Sequence, residues 1–155
     1  MKLPVNHVGI TVSDVERSTA FYTSFGGEVM HGGRFGDVGT ARALGLSTLD
    51  LETRFIRFDG LVLELLQYRA PESRAYSSDN CDVGAAHVAF TVENLPELYD
   101  TLRTQGVEFY SEPNPIDSGD YAGGYMVYAR DPDGVSVEFL QPGPGHEGAP
   151  DAESA

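Results

Sequence analysis

The sequence predicts an α+β fold assembled from two copies of one strand, helix, strand and hairpin module. Three observations carry that prediction. The stretch "NHVGITV" at Asn6–Val12 has a near copy in "AHVAFTV" at Ala86–Val92, a helix signal follows each copy, and each half closes on a hairpin. The last strands of those hairpins read "LVLELLQY", Leu61–Tyr68, and "VSVEFLQP", Val135–Pro142. The order of parts is the same in both halves, which is the signature of an internal repeat. The repeats run from about residue 3 to 70 and from 84 to 142, so residues 1–142 form one domain.

Each element has a local reason. In the first half Val8, Ile10 and Val12 alternate with His7, Gly9 and Thr11, the period of a strand with one apolar face. Ser13-Asp-Val-Glu16 has the capping-box pattern, and Val15, Phe21, Tyr22 and Phe25 form a helical stripe that Gly26-Gly27 ends. A weak strand follows, and residues 32–50 read as a loop with one short helix. "TRFIRF" and "LVLELLQY" flank Asp59-Gly60, a strong hairpin signal. In the second half Asn94-Leu-Pro-Glu97 caps a helix whose Leu95, Leu98, Tyr99 and Leu102 fall at i, i+3, i+4 and i+7 before Gly106. Another weak strand follows Gly106, and "GYMVYAR" and "VSVEFLQ" then flank the turn "DPDG". Residues 143–155, Gly/Pro-rich and acidic, cannot bury enough apolar area to offset their ordering entropy and are expected to be a disordered tail.

Composition narrows the function. Twenty-four acidic against ten basic side chains give a formal charge of −14, which repels nucleic acid and anionic membranes. No apolar run resembles a signal peptide or reaches the roughly 20 residues of a membrane span, so a cytoplasmic location is expected. Cys81 stands alone, in keeping with a reducing compartment, and no basic neighbour in sequence activates it.

Strand parity gathers the chemistry. His7 lies on the face of the first strand opposite its apolar row, and His87 does the same in the copy. Glu64 stands between Leu63 and Leu65, and Glu138 between Val137 and Phe139. A carboxylate in so apolar a strand needs a compensating partner. Two neutral imidazoles and two carboxylates make a neutral site together with a divalent cation, with donors suited to zinc, nickel, cobalt, iron or manganese. His31 and His146 have no counterpart in the other half and are not expected to be ligands. Tyr121 and Tyr125 lie in the glycine-rich "GDYAGGYM", which reads either as an ordinary exposed loop or as a mobile lid over a substrate pocket. Arg54 and Arg57 point to opposite faces, so only one can reach a substrate anion, and Arg54 is taken as the candidate.

A repeated module with a histidine opening its first strand and a glutamate in its last resembles the vicinal oxygen chelate superfamily, which includes glyoxalase I, extradiol dioxygenases, methylmalonyl-CoA epimerase and the fosfomycin and bleomycin resistance proteins. The resemblance covers about residues 3–142. It implies paired βαβββ modules whose curled mixed sheets enclose a metal site, commonly in a homodimer. It also implies that His7, Glu64, His87 and Glu138 are the metal ligands, a set most like that of bacterial glyoxalase I. The sequence departs from the pattern at Val135, where an asparagine commonly follows "DPDG". The expected activity is that of a metal-dependent lyase or isomerase: a small substrate chelated through neighbouring oxygens loses a proton next to its carbonyl, to Glu138 first and Glu64 second. An Fe(II)-dependent extradiol-type dioxygenase and a protein that sequesters a drug or metabolite are the alternatives on this scaffold.

Overall fold

The computed structural model describes residues 2–75, 79–144 and 146. The expected tail thus lies outside the described residues except for Gly143, Pro144 and His146. The chain divides into two compact units, Met1–Tyr76 and Ser77–Ala155.

The first unit is a four-stranded mixed sheet with a helix on one face. Its elements are β1 (Val8–Thr11), α1 (Val15–Thr23), β2 (Glu28–Phe35), α2 (Val38–Ala43), β3 (Asp50–Phe58) and β4 (Leu61–Ala70), in the sheet order β1-β4-β3-β2. The β3–β4 hairpin turns at Asp59-Gly60, where Gly60 takes a φ of 73°. β1 pairs with β4 in parallel, which requires the crossover that α1, β2 and β3 supply. Ile10, Val12, Ile56, Leu63 and Leu65 bury one face of the sheet, and Val15, Phe21 and Tyr22 of α1 are buried with them. Asp14, not Ser13, caps α1, its carboxylate accepting from the backbone N–H of Glu16 and of Arg17.

Residues 32–50 carry more structure than the sequence suggested. β2 runs on through Phe35, because its pairing with β3 continues from Glu28–Arg57 to Phe35–Leu51 across a bulge between Val29 and His31. α2 follows, capped by Asp37, which accepts from the backbone N–H and the hydroxyl of Thr40. These bonds hold the Asp37 carboxyl below its ordinary range. Ala41 of α2 packs with Leu49, Leu51, Leu46, Leu66 and Tyr68. Leu66 and Tyr68 share a face with Glu64, so α2 covers the far end of that face.

The second unit repeats the plan with β5 (His87–Thr91), α3 (Leu95–Thr104), β6 (Glu108–Phe109), β7 (Asn114–Pro115), β8 (Tyr125–Arg130) and β9 (Ser136–Gln141), in the order β5-β9-β8-β6, with β7 also on β8. Asn94 caps α3 with its side chain on the Glu97 N–H. Buried Asp131 fixes the β8–β9 turn by accepting from the N–H of Asp133 and of Val135. One clasp recurs in both units: Gln67 accepts from the N–H of Val15 at 3.1 Å, and Gln141 accepts from the N–H of Leu95 at 2.7 Å. Each glutamine stands three residues after its strand's glutamate and anchors the start of the unit's helix.

The glycine-rich loop, one reading of which is a mobile lid, is tied down. Ile116 N–H bonds Gly124 O at 2.9 Å and Gly123 N–H bonds Ile116 O at 2.8 Å. Gly124 and Gly143 let the loop meet the chain end, since a Cβ on Gly143 would collide with the Ala122 carbonyl and one on Gly124 with that of Gln141.

The core makes a direct prediction. Leu63, fully buried, loses about 2 to 5 kcal/mol of unfolding free energy on Leu63→Ala. Leu3→Ala, at a residue 81% exposed, changes it by under about 0.5 kcal/mol. Denaturant titration of both variants checks the difference.

Candidate functional site

Two histidine–glutamate pairs are built in the same way, one in each unit. In the first, the parallel register sets Gly9 beside Glu64, so strand alternation brings His7 to the same face. His7 Nε2 lies 3.0 Å from Glu64 Oε2, with the side chains 35% and 17% exposed. A Cβ on Gly9 would lie 3.2 Å from Leu66 Cδ1. Phe55, in register with Glu64, meets the His7 ring edge to face at 5.7 Å and the His31 ring at 4.5 Å. The β2 bulge is what carries His31 to this face, in register with Phe55.

A hydrogen bond bears on the His7 tautomer. Nδ1 lies 2.7 Å from the Asn6 side-chain oxygen, which can only accept, so Nδ1 holds a proton. Nε2 then faces the carboxylate. The ring nitrogen and the carboxylate oxygen stand 3.0 Å apart with their lone pairs toward each other, an arrangement that suits a cation.

The second pair follows the same geometry. Ala89 is in register with Glu138, and His87 Nε2 lies 3.1 Å from Glu138 Oε2, with the side chains 45% and 10% exposed. Where the first unit has Phe55, the second has Tyr128, in register with Glu138. Its hydroxyl is 3.5 Å from His87 Nε2, and the two rings meet edge to face at 5.3 Å. The Tyr128 phenol is pushed up to about 12 by burial first, then by its hydrogen bond to Glu138 and by that carboxylate's charge.

The other expected residues stand elsewhere. Arg54 is in register with Leu65, on the α1 side of the sheet, where it pairs with Glu16 rather than facing Glu64's side. Tyr125 alternates with Tyr128 onto the opposite face of β8. Tyr121 stacks on His146 at 4.4 Å, and His146 Nδ1 lies 2.9 Å from the Asp120 carbonyl. Arg57 shares Glu64's face but lies toward Glu28, 3.8 Å away, at the exposed hairpin end.

Each pair fits a cation in part. Donors 3.0 and 3.1 Å apart are spaced like neighbouring ligands of one ion with bonds of about 2.0 to 2.2 Å. Among the described residues no group of three or more His, Cys, Asp or Glu side chains is disposed to hold a metal ion, so the donors are gathered two by two. Among the same residues no helix is long and apolar enough to cross a membrane.

Residues 5–139 match the family model described as the Glyoxalase/Bleomycin resistance protein/Dioxygenase superfamily. The chain belongs to that superfamily. Among its relatives, a 2-epi-5-epi-valiolone epimerase from Actinomyces sp. is 30% identical over 142 residues, spanning 88% of this chain and 78% of the relative. A lactoylglutathione lyase from Arabidopsis thaliana is 25% identical over 89% of this chain, which spans only 44% of that protein's length. In fold, a glyoxalase family protein from Bacillus cereus superposes with a TM-score of 0.81 at 20% identity, covering 91% of this chain and 95% of that one. Glyoxalase I from Zea mays does so with a TM-score of 0.64 at 21% identity, over 88% of this chain and 44% of that one. The superfamily's α+β architecture, with two mixed sheets that do not close into barrels, is the one predicted from the repeat.

Glu138 and Tyr128 give a prediction for the metal-free protein. The raised Tyr128 value means that the neutral phenol is favoured in the fold, a contribution present below the unfolded value near 10 and lost as pH rises through about 12. The pH titration midpoint of the Tyr128 ring carbon bearing oxygen is lower in Glu138→Gln than in wild type, while burial still holds it above the free value. Labelled-tyrosine NMR, assigned with Tyr128→Phe, reads the difference.

Proposed function

We propose that this superfamily member is a metal-dependent isomerase or lyase of the glyoxalase type, that it epimerises a small hydroxyketone at the carbon beside the carbonyl, and that His7, Glu64, His87 and Glu138 supply the donors for one divalent cation. The observation that carries the reading is the repetition of one His–Glu pair, at 3.0 and 3.1 Å, in the same strand register of both units. The His7 pair suits a cation between its members, and the four together neutralise a doubly charged zinc, nickel, cobalt, iron or manganese ion. When bound, such an ion polarises two neighbouring substrate oxygens and acidifies the adjoining C–H.

The chain's own residues move the proton. Glu138, turned from the cation toward the substrate, takes it from the carbon beside the carbonyl; Glu64, after taking up a proton from water, returns one to the opposite face, and Glu138 then gives its proton to water. Tyr128 stays a neutral phenol at physiological pH and hydrogen-bonds Glu138, orienting the carboxylate that acts first. Asn6 does the equivalent for His7 by holding its Nδ1 proton. Epimerisation is favoured over lyase chemistry by the relative named as an epimerase, which this chain covers over 78% of its length, against 44% for the plant lyases. The working form is a homodimer acting on a small molecule.

Two measurements test this reading. Purified protein carries close to one equivalent of a divalent metal, and His87→Ala loses most of it; equal and negligible metal in both removes the cation from the mechanism. In heavy water, wild type washes deuterium into the carbon beside the carbonyl of a hydroxyketone without consuming oxygen, and Glu138→Gln slows this by about 100-fold or more. Oxygen uptake coupled to turnover would replace proton transfer with oxygenation.

A further inference from the structure

We propose that Asn80 and Tyr110, held together by Ser136 beside His87, form a subsite that reads a substrate hydroxyl and so selects polyhydroxylated ketones. The proposal deepens the reading above and rests on it for the reacting centre.

The placement follows from strand register. His87 pairs with Ser136 and Ser136 with Arg130, so the three form one row across β5, β9 and β8 on the face that carries Glu138. Glu138 stands two residues further along β9, about 7 Å away. A ring-sized substrate with an oxygen near Glu138 reaches this row with a hydroxyl on the far side of its ring.

The direction of each hydrogen bond is fixed by counting protons. Ser136 is 7% exposed, and its hydroxyl donates to the Asn80 side-chain oxygen at 2.5 Å. A serine hydroxyl has one proton, so the Tyr110 hydroxyl, 3.0 Å from the same oxygen, must be the donor there. Tyr110 is left with lone pairs to offer, and Asn80 with the two N–H bonds of its amide. One acceptor and one donor, both next to a buried pivot, match a hydroxyl group, which donates once and accepts.

The pair is braced. The Arg130 guanidinium lies over the Tyr110 ring, 4.6 Å from its centroid, and the Tyr110 N–H bonds the Tyr128 carbonyl at 2.9 Å. Among the described residues the first unit has nothing equivalent: Val62 stands where Ser136 does, and His31 where Tyr110 does. A neutral polyol also suits a chain with a formal charge of −14 better than an anion does.

The test compares binding of two probes, pentahydroxycyclohexanone and 2-hydroxycyclohexanone, to the full metal-loaded chain by ligand-observed NMR. Wild type binds the pentahydroxy ketone about tenfold more tightly, and the ratio falls to about one in Asn80→Asp, which keeps the acceptor for Ser136 but loses the N–H donors, and in Tyr110→Phe. No preference in wild type, or a preference kept in both variants, overturns the proposal. Glu138→Gln separates the two ideas: it keeps the preference while losing deuterium exchange. Wild-type protein that shows the preference without any exchange supports the subsite and sinks the proton-transfer reading.

Discussion

The parallel pairing of each unit's first and last strands is the constraint on which the remaining geometry depends. Gly9 opposite Glu64, and Ala89 opposite Glu138, fix a histidine two residues earlier on the same face as the glutamate. Side chains alternate with period two, so a slip of one residue would send the glutamate into the helix-packed face among Ile56, Leu63 and Leu65. Burial of that apolar face, worth roughly 1.5 to 3 kcal/mol for each large side chain, forbids the slip. The hydrophobic core thus sets the position of the polar chemistry, and the glutamine clasps on α1 and α3 hold each helix to the strand that carries its glutamate.

The two units share a frame and differ in what it displays. Around Glu64 stand Phe55 and His31, with Val62 in the adjoining row; around Glu138 stand Tyr128 and Tyr110, with Ser136. The first surface is largely aromatic and aliphatic, and α2 closes its far end. The second is rich in hydroxyls. The two carboxylates thus sit in unlike settings and are not interchangeable.

Much of this could be read from the chain alone. The repeat, the strand faces and the turns Asp59-Gly60 and "DPDG" are local features, and they sufficed to name His7, Glu64, His87 and Glu138. Phe55 was within reach too, since counting outward from Asp59-Gly60 sets it opposite Glu64; the same count from "DPDG" sets Val127 opposite Glu138, and it is the closure of that turn between Asp131 and Val135 that brings Tyr128 there. Other features depend on events that composition does not announce. The bulge after Val29 shifts β2 by one residue and so exposes His31 on the glutamate face, where uninterrupted alternation would have put Met30. Arg54 turned out to serve α1 through Glu16, because the parity of β3 places it there. Asn80 is 56 positions from Ser136, and only the folded chain brings the two together.

The glycine contacts at the chain end bear on where this fold stops. The family match closes at residue 139, within β9. Yet Gln141 clasps α3, and Gly143 packs on the Ala122 carbonyl in a space that admits no side chain. A segment trimmed to the family boundary would leave the 116–124 loop without its backing and α3 without the acceptor for its first N–H. Gln141 to Pro144 thus brace α3 and the 116–124 loop from beyond the matched residues.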